Sequence, residues 1–420
     1  MKRILTLIML LPHFMFGQNS STLTLQQAYD LAQKNYPLIK QRELVKQTTG
    51  FTIDNLNKGY LPQFSLGGQA TYQSEVTSID VPIPGFKFNP PSKDQYKILA
   101  DLNQVIYDGG VIKQQKNIQQ MNEEVNQQKI EVDLYTIKDR INQLFLGVLY
   151  FDEQLKQIEL VKTDLNDGIK KVQAQVDNGV ALKSNLNLLQ AQLLTTNQRG
   201  IELKASRKGL IDVLSLFINQ PLPETVQLET PVVPSISYGD IQRPELKLFS
   251  YQDRLLGSQT KLIDAKNLPK ANFFVEGGYG KPGLNFLKNQ FDFFYTNGVR
   301  FNWNFGGLYT QKKEKRIIDV NKKIVDIQKE TFLLNTNTAL KQQESEINKY
   351  QQLIATDQQI IDLRAKVKQA ANAQLENGVI TAIDFLQDVN AEDQARQNLI
   401  IHQIQLLQSQ INYMTLAGKQ

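Results

Sequence analysis

A chain of 420 residues in which 41% of side chains are hydrophobic has enough apolar material for a packed core and enough length for two or three domains. Its formal charge of +5 is too mild to point to a nucleic-acid partner, and with no cysteine it can form no disulfide and offers no thiol nucleophile. The same absence removes the acylated residue on which a lipoprotein anchor depends.

At the N-terminus, Lys2 and Arg3 precede an apolar run over residues 4–16, closed by Gly17. A charged start, an apolar centre and a small residue at the end predict a secretory signal peptide at residues 1–17. That run falls short of the roughly 20 residues a helix needs to span a bilayer, and no later stretch reaches that length. Loss of Lys2 and Arg3 would leave 5 − 2 = +3 on the remaining chain.

Residues 18–220 form a first structural repeat. Strands are expected at residues 63–76 and 95–107, joined by TSIDVPIPGFKFNPPSK, whose Pro, Gly and Lys content fits an exposed hairpin loop. A long helix is expected at 111–176. Within it Ile137, Ile141, Leu144, Val148, Phe151, Leu155, Ile158, Lys162, Leu165, Ile169, Val172 and Val176 alternate in steps of four and three. That is a heptad seam, with Lys162 its one polar member, on a rod about 100 Å long at 1.5 Å per residue. A turn, DNGV, and a shorter helix at 181–219 complete the repeat, and a proline-rich linker at 221–240 follows.

Residues 241–420 read as a second copy, with strands at 271–280 and 290–305 and helices at 308–375 and 380–418. In FDFFYTNGVRFNWNFGG, residues 291–307, the aromatic positions Phe293, Tyr295, Phe301 and Trp303 share one parity, the mark of a strand with one apolar face. The duplication shows in matched segments: NYPLIK with QRPELK, YDGGV with NFGGL, DNGV with ENGV. Spacings agree as well. Pro37 to Pro62 and Pro244 to Pro269 are both 25 residues, and Gly110 to Gly179 and Gly307 to Gly378 are 69 and 71.

An exported chain can bury an aromatic strand face in lipid if its strands approach the roughly 9–11 residues that cross a membrane at a tilt. Four strands leave open edges that hydrocarbon does not tolerate, so several chains must share one barrel. Phe293, Tyr295, Phe301 and Trp303 are therefore expected to face lipid, with Trp303 and Phe305 at an interfacial girdle.

The order of elements, the duplication and the late NGV turns resemble the TolC family of outer-membrane efflux proteins, from LTLQQAYDLAQKNYPLI to LLQSQINYMTLAG. The resemblance implies a mixed α and β membrane protein: a homotrimer whose chains each give four strands to a twelve-stranded outer-membrane β-barrel, continuous with a long periplasmic α-helical barrel. It places the linker in an equatorial region and the protein in the outer membrane of a Gram-negative bacterium, reaching into the periplasm. It further implies passive conduction of substrates delivered by a periplasmic adaptor and an inner-membrane transporter.

By the same resemblance Asp384, six residues past Gly378, would line a periplasmic constriction, with Gln387, Asp388 one helical turn on, and Asn185 at the matching place in the first repeat. Gly179, Val180, Gly378 and Val379 would form tips that dock the adaptor. Leu375 and Ile380 stand where the best-known member of the family carries a Tyr and an Arg that lock its entrance, so closure would rest on apolar packing.

Enzymatic chemistry is not expected, and neither is a cofactor or metal. His13 falls in the signal segment, His402 stands alone on a helix, and FVEGGYGKPG lacks the Lys-Ser/Thr ending of a phosphate loop. Acid pairs such as Glu123 and Glu124 read as solvated helix faces. Two readings of other classes remain: a trimeric adhesin or structural stalk without a transport role, and a soluble coiled-coil scaffold.

Overall fold

The computed structural model describes residues 22–78, 90–234 and 239–419. The expected signal peptide, and parts of the first hairpin loop and of the linker, lie outside the described residues. In chain order the elements are β1 (Thr22–Leu23), α1 (Leu25–Asn35), α2 (Gln41–Lys58), β2 (Gln63–Tyr72), β3 (Asp94–Tyr107), α3 (Val111–Asp177) and α4 (Lys183–Ile218). There follow β4 (Gln227–Leu228), α5 (Pro244–Lys266), β5 (Lys270–Lys281), β6 (Asp292–Asn302), α6 (Gly307–Glu376) and α7 (Ala382–Ala417). Among the described residues two compact units emerge, and each draws on both halves of the chain: Pro37–Tyr135 with Gln242–Asn337, and the residues up to Tyr36 with Thr136–Ile241 and those from Thr338 on.

The unit that holds the strands is built on one antiparallel sheet in the order β2-β3-β5-β6. Residues directly opposite in such a sheet share a face, so the register fixes both faces. Leu66, Ala100, Gly277 and Tyr295 form one row across the strands, and Gly68, Ile98, Tyr279 and Phe293 another. One position along, Ser65, Asp101, Glu276 and Thr296 form a row on the opposite face. The sheet is thus apolar on one side and polar on the other, as period-two alternation dictates.

Both β2 and β6 stop before residues 76 and 305, where the sequence placed their ends. For β6 the cause is local: the Trp303 indole N–H donates to the Asn267 carbonyl at 3.0 Å, and the Asn304 side chain accepts from Gly306 N at 2.8 Å. These bonds turn the chain off the ladder toward α6.

Two helix faces in this unit remain apolar and exposed. On α6, Ile317, Val320, Ile324, Ile327 and Leu334 recur at heptad spacing, and on α2, Leu44 and Phe51 lie seven residues apart.

The second unit is helical. The α3 seam lies inside it: Ile137, Ile141, Leu144, Val148, Ile158, Leu165 and Val172 are all buried. Near the ends of the long helices, Val161, Leu165 and Val172 of α3 pack with Leu186 and Leu189 of α4, Ala371 and Leu375 of α6, and Phe385 of α7. Gly168 is small for a reason, since a Cβ there would lie 2.7 Å from the Phe385 ring.

The proline-rich segment is not a bare tether. Its β4 pairs in parallel with β1, Val226 and Leu228 are buried, and Arg207 donates to the carbonyls of Glu224 and Val226 while pairing with Asp152. His402 has a partner too, with Nδ1 2.5 Å from an Asp357 oxygen. Glu124 pairs with Arg254 at 3.2 Å, so it is more than a solvated face.

Candidate functional site

The residues singled out in the sequence fall mainly in three places: the sheet, the helix reversals and the start of α7. On the sheet, Phe293, Tyr295 and Phe301 project from the apolar face and are largely exposed, Phe293 at 82%. Trp303 lies just past the ladder, beside Phe305 at 4.7 Å between ring centroids. At the other end of the same face Tyr279 meets Phe293 at 4.5 Å and Phe291 at 5.5 Å. An exposed apolar face edged with aromatics at both ends matches a slab of hydrocarbon with an interface on each side.

The polar face hides two pairings that the alternation alone does not reveal. Phe294 closes over Gly278 directly opposite it, where a Cβ would come within 2.7 Å of the ring. Phe274 covers Gly298 in the same way, and the Arg300 guanidinium sits 4.5 Å from the Phe274 ring centroid. Each phenylalanine replaces the missing side chain of the glycine it faces.

The two helix reversals are built alike. Val180 N–H donates to Gln175 O at 2.8 Å and Gly179 N–H to Val176 O at 3.0 Å; Val379 donates to Gln374 O at 2.9 Å and Gly378 to Leu375 O at 3.1 Å. Gly179 and Gly378 have φ of 73° and 69°, left-handed values that glycine adopts without a Cβ clash. Asn178 and Asn377 each donate their side-chain amide to the carbonyl four residues back, both at 2.8 Å. Val180 and Val379 are left 72% and 69% exposed.

The α3 and α6 ends are tied to each other at this level. Gln175 donates to Leu375 O at 2.6 Å, and Lys171 reaches both the Asn372 side chain and Glu376 at 2.8 Å.

The reversals differ at the start of the helix each one leads into. Helix α7 begins with a capping box: Thr381 is the N-cap, and the exposed Asp384 accepts from Thr381 N at 3.0 Å and from its hydroxyl at 2.7 Å, both on Oδ2. Those bonds hold the Asp384 carboxyl below the usual aspartate range. The corresponding start of α4 has Leu182 as N-cap with no side-chain bond, and half-buried Asn185 in the place of Asp384. The sequence did carry this signal, since Thr381 and Asp384 stand three apart just before an apolar run.

Gln387 is exposed and Asp388 half-buried on α7. Leu375 is 1% exposed, and Ile380 packs against the same buried cluster, so both serve the chain's own core.

Deeper along these helices lies a charged group that sequence reasoning missed. Lys368 of α6 bridges Asp164 of α3 at 2.7 Å and Glu392 of α7 at 2.6 Å, and Arg396 also reaches Glu392 at 2.7 Å. Glu392 is only 3% exposed. No spacing in the sequence announces it, because three separate helices supply its members.

No metal-binding cluster occurs among the described residues, and no helix there is long and apolar enough to cross a membrane. The profile described as outer membrane efflux protein matches residues 28–217. No curated protein sequence matches. The fold is similar to that of the outer membrane protein VceC from Vibrio cholerae, with 12% identity and a TM-score of 0.66 over 94% of this chain and 96% of that one. The Campylobacter jejuni CmeC outer membrane channel gives 13% and 0.62 over 94% and 85%. The Neisseria gonorrhoeae MtrE outer membrane channel gives 11% and 0.64 over 94% and 89%.

Proposed function

We propose that this chain, which matches the outer membrane efflux protein profile over residues 28–217, contributes one third of a barrel wall in the membrane and of a helical conduit that continues from it. It is an outer-membrane efflux channel that extends into the periplasm. The family implies a trimeric channel in a tripartite system. The finer reading is that a periplasmic adaptor grips the helix reversals, and that an inner-membrane transporter delivers cargo through it.

One observation carries this reading: a sheet of four strands with an exposed apolar face, a polar face and, among the described residues, two unpaired edges. Its strands, 10 to 14 residues long, are long enough to span a membrane at a tilt. Open edges in hydrocarbon leave backbone groups without partners, so further strands from other copies must close the sheet. A solid stalk would have no use for the polar face.

The docking part of the proposal rests on Val180 and Val379. Each is an exposed apolar side chain held on a rigid turn, suited to contact with an apolar partner surface. Changing both to Asp should abolish export from cells while detergent-extracted trimers persist, because both side chains are largely exposed. Normal export by the double variant would overturn the docking role.

For the constriction, three copies of Asp384 would bring like charges together and attract cations. Proximity of the three would raise the carboxyl pKa, opposing the lowering by Thr381. Channels in planar bilayers should then be cation-selective and blocked by trivalent cations. Asp384→Asn removes the charge but keeps an acceptor for Thr381, and should relieve most of the block. Unchanged block and selectivity would place the constriction elsewhere; parallel recordings of Asp388→Asn show whether the half-buried carboxylate contributes.

A further inference from the structure

If copies of this chain share a barrel, each joint between them needs a strand register, and the chain carries a template for it. The sheet has the order β2-β3-β5-β6 with every pair antiparallel, so its edges, β2 and β6, run in opposite directions and can pair antiparallel across copies. Duplication relates β2 to β5 and β3 to β6. Gln63 follows Pro62 and opens β2 as Lys270 follows Pro269 and opens β5, and their cross-strand partners are Asn103 and Asn302. The internal β3–β5 ladder is therefore the counterpart of a β6–β2 ladder between copies.

In that internal ladder Asn103 lies opposite Phe274, the fifth residue of β5. Asn103 translates to Asn302, and the fifth residue of β2 is Gly67. We infer that β6 of one copy pairs with β2 of a second copy of this chain with Asn302 opposite Gly67 and Phe301 opposite Gly68. The inference rests on the shared-barrel reading above.

Two further observations support this register. Within the chain, phenylalanine covers a directly opposed glycine twice, at Phe274 with Gly298 and at Phe294 with Gly278. Phe301 over Gly68 would be the third case, and nothing now lies within 4 Å of a Cβ placed at Gly67 or Gly68. The faces agree too, since Phe301 and Gly68 both belong to the apolar side and Asn302 and Gly67 to the polar side. Finally, the helices that continue from these edges carry uncovered apolar residues at heptad spacing: α6 directly follows β6, and α2 directly precedes β2. The same neighbour that completes the sheet can cover Ile317, Ile324 and Phe51.

The chain has no cysteine, so introduced thiols are its only ones. Opposed residues in an antiparallel pair have Cα atoms about 4.5–5.5 Å apart, within disulfide reach. A partner two residues away along the strand lies about 8 Å off, beyond it. Three double variants keep Asn302→Cys and add Ser65→Cys, Gly67→Cys or Gln69→Cys, each on the polar face. Detergent-extracted trimers of each are oxidised with copper phenanthroline and oxygen and run on non-reducing gels. The Gly67 variant should give covalent dimers and trimers at least about tenfold faster than the other two. Faster linkage through Ser65 or Gln69, or no linkage in any variant whose trimers are intact by light scattering, overturns the register and leaves the trimer standing. Monomers from the unmodified chain would instead overturn the shared barrel.

Discussion

Trimers of a Val299→Arg variant should be recovered from outer membranes at about a tenth of the unmodified yield or less, while Thr296→Arg should stay within roughly twofold. Val299 is on the apolar face of β6 and well exposed, a few residues from the middle of the strand; Thr296 is just as central but on the polar face. An arginine facing lipid near the midplane costs about 2–4 kcal/mol, and a closed assembly of three would bear that three times. Facing a watery interior it costs little. Similar losses for the two variants would mean that the apolar face does not meet lipid, and the membrane reading of the sheet would fall with it.

Replacing Lys368 with Met should lower the stability of the helical unit by about 1.5–3 kcal/mol, the usual scale for losing a charge-assisted bond to a buried group that keeps a second partner. Glu392 would keep only Arg396. Burial pushes the Glu392 carboxyl up, but bonds from Lys368 and Arg396 outweigh this and hold it below the ordinary glutamate value of 4.5. Lys368 is affected in the opposite sense: burial lowers it, yet Asp164 and Glu392 carry it above 10.5. A carboxyl depressed by folding adds stability above its unfolded pKa and loses it as pH falls through the folded value. A raised lysine adds stability below its unfolded pKa and loses it as pH rises through the folded one. The difference between Lys368→Met and the unmodified protein should therefore be largest between about pH 5 and 10 and shrink in acid. The double change Lys368→Met with Glu392→Leu should recover part of the loss, because it removes the stranded charge. Urea midpoints that do not move in the single variant would show that the group contributes nothing to holding α3, α6 and α7 together.

Local rules account for most of what the sequence revealed. Period two exposed the strands and their apolar side, and steps of three and four exposed the α3 seam. Glycine in the NGV turns signalled positive φ, because few other residues adopt it. What stayed hidden depends on contacts between segments far apart in the chain. Leu375 occupies a position where the family resemblance suggested an entrance lock, yet burial against α3, α4 and α7 makes it part of the core. The Asp164, Lys368, Glu392 group joins three helices across more than two hundred residues, and its members read individually as ordinary surface charges. Strands β1 and β4 are two residues each, too short to show any period.

Because β2 and β6 are different strands, a joint between them is head-to-tail: each copy offers one donor edge and one acceptor edge. Such a joint has no inherent stopping point. Chains linked this way either bend round until the last edge finds the first or keep adding as an open polymer. What ends growth is sheet curvature, set by strand twist and by the side chains that crowd the concave side. On the polar face each of two Phe side chains lies over a Gly that leaves a gap for it, so bulky side chains do not meet there. Changes that fill those gaps should favour ribbons over rings even where every individual contact between copies survives.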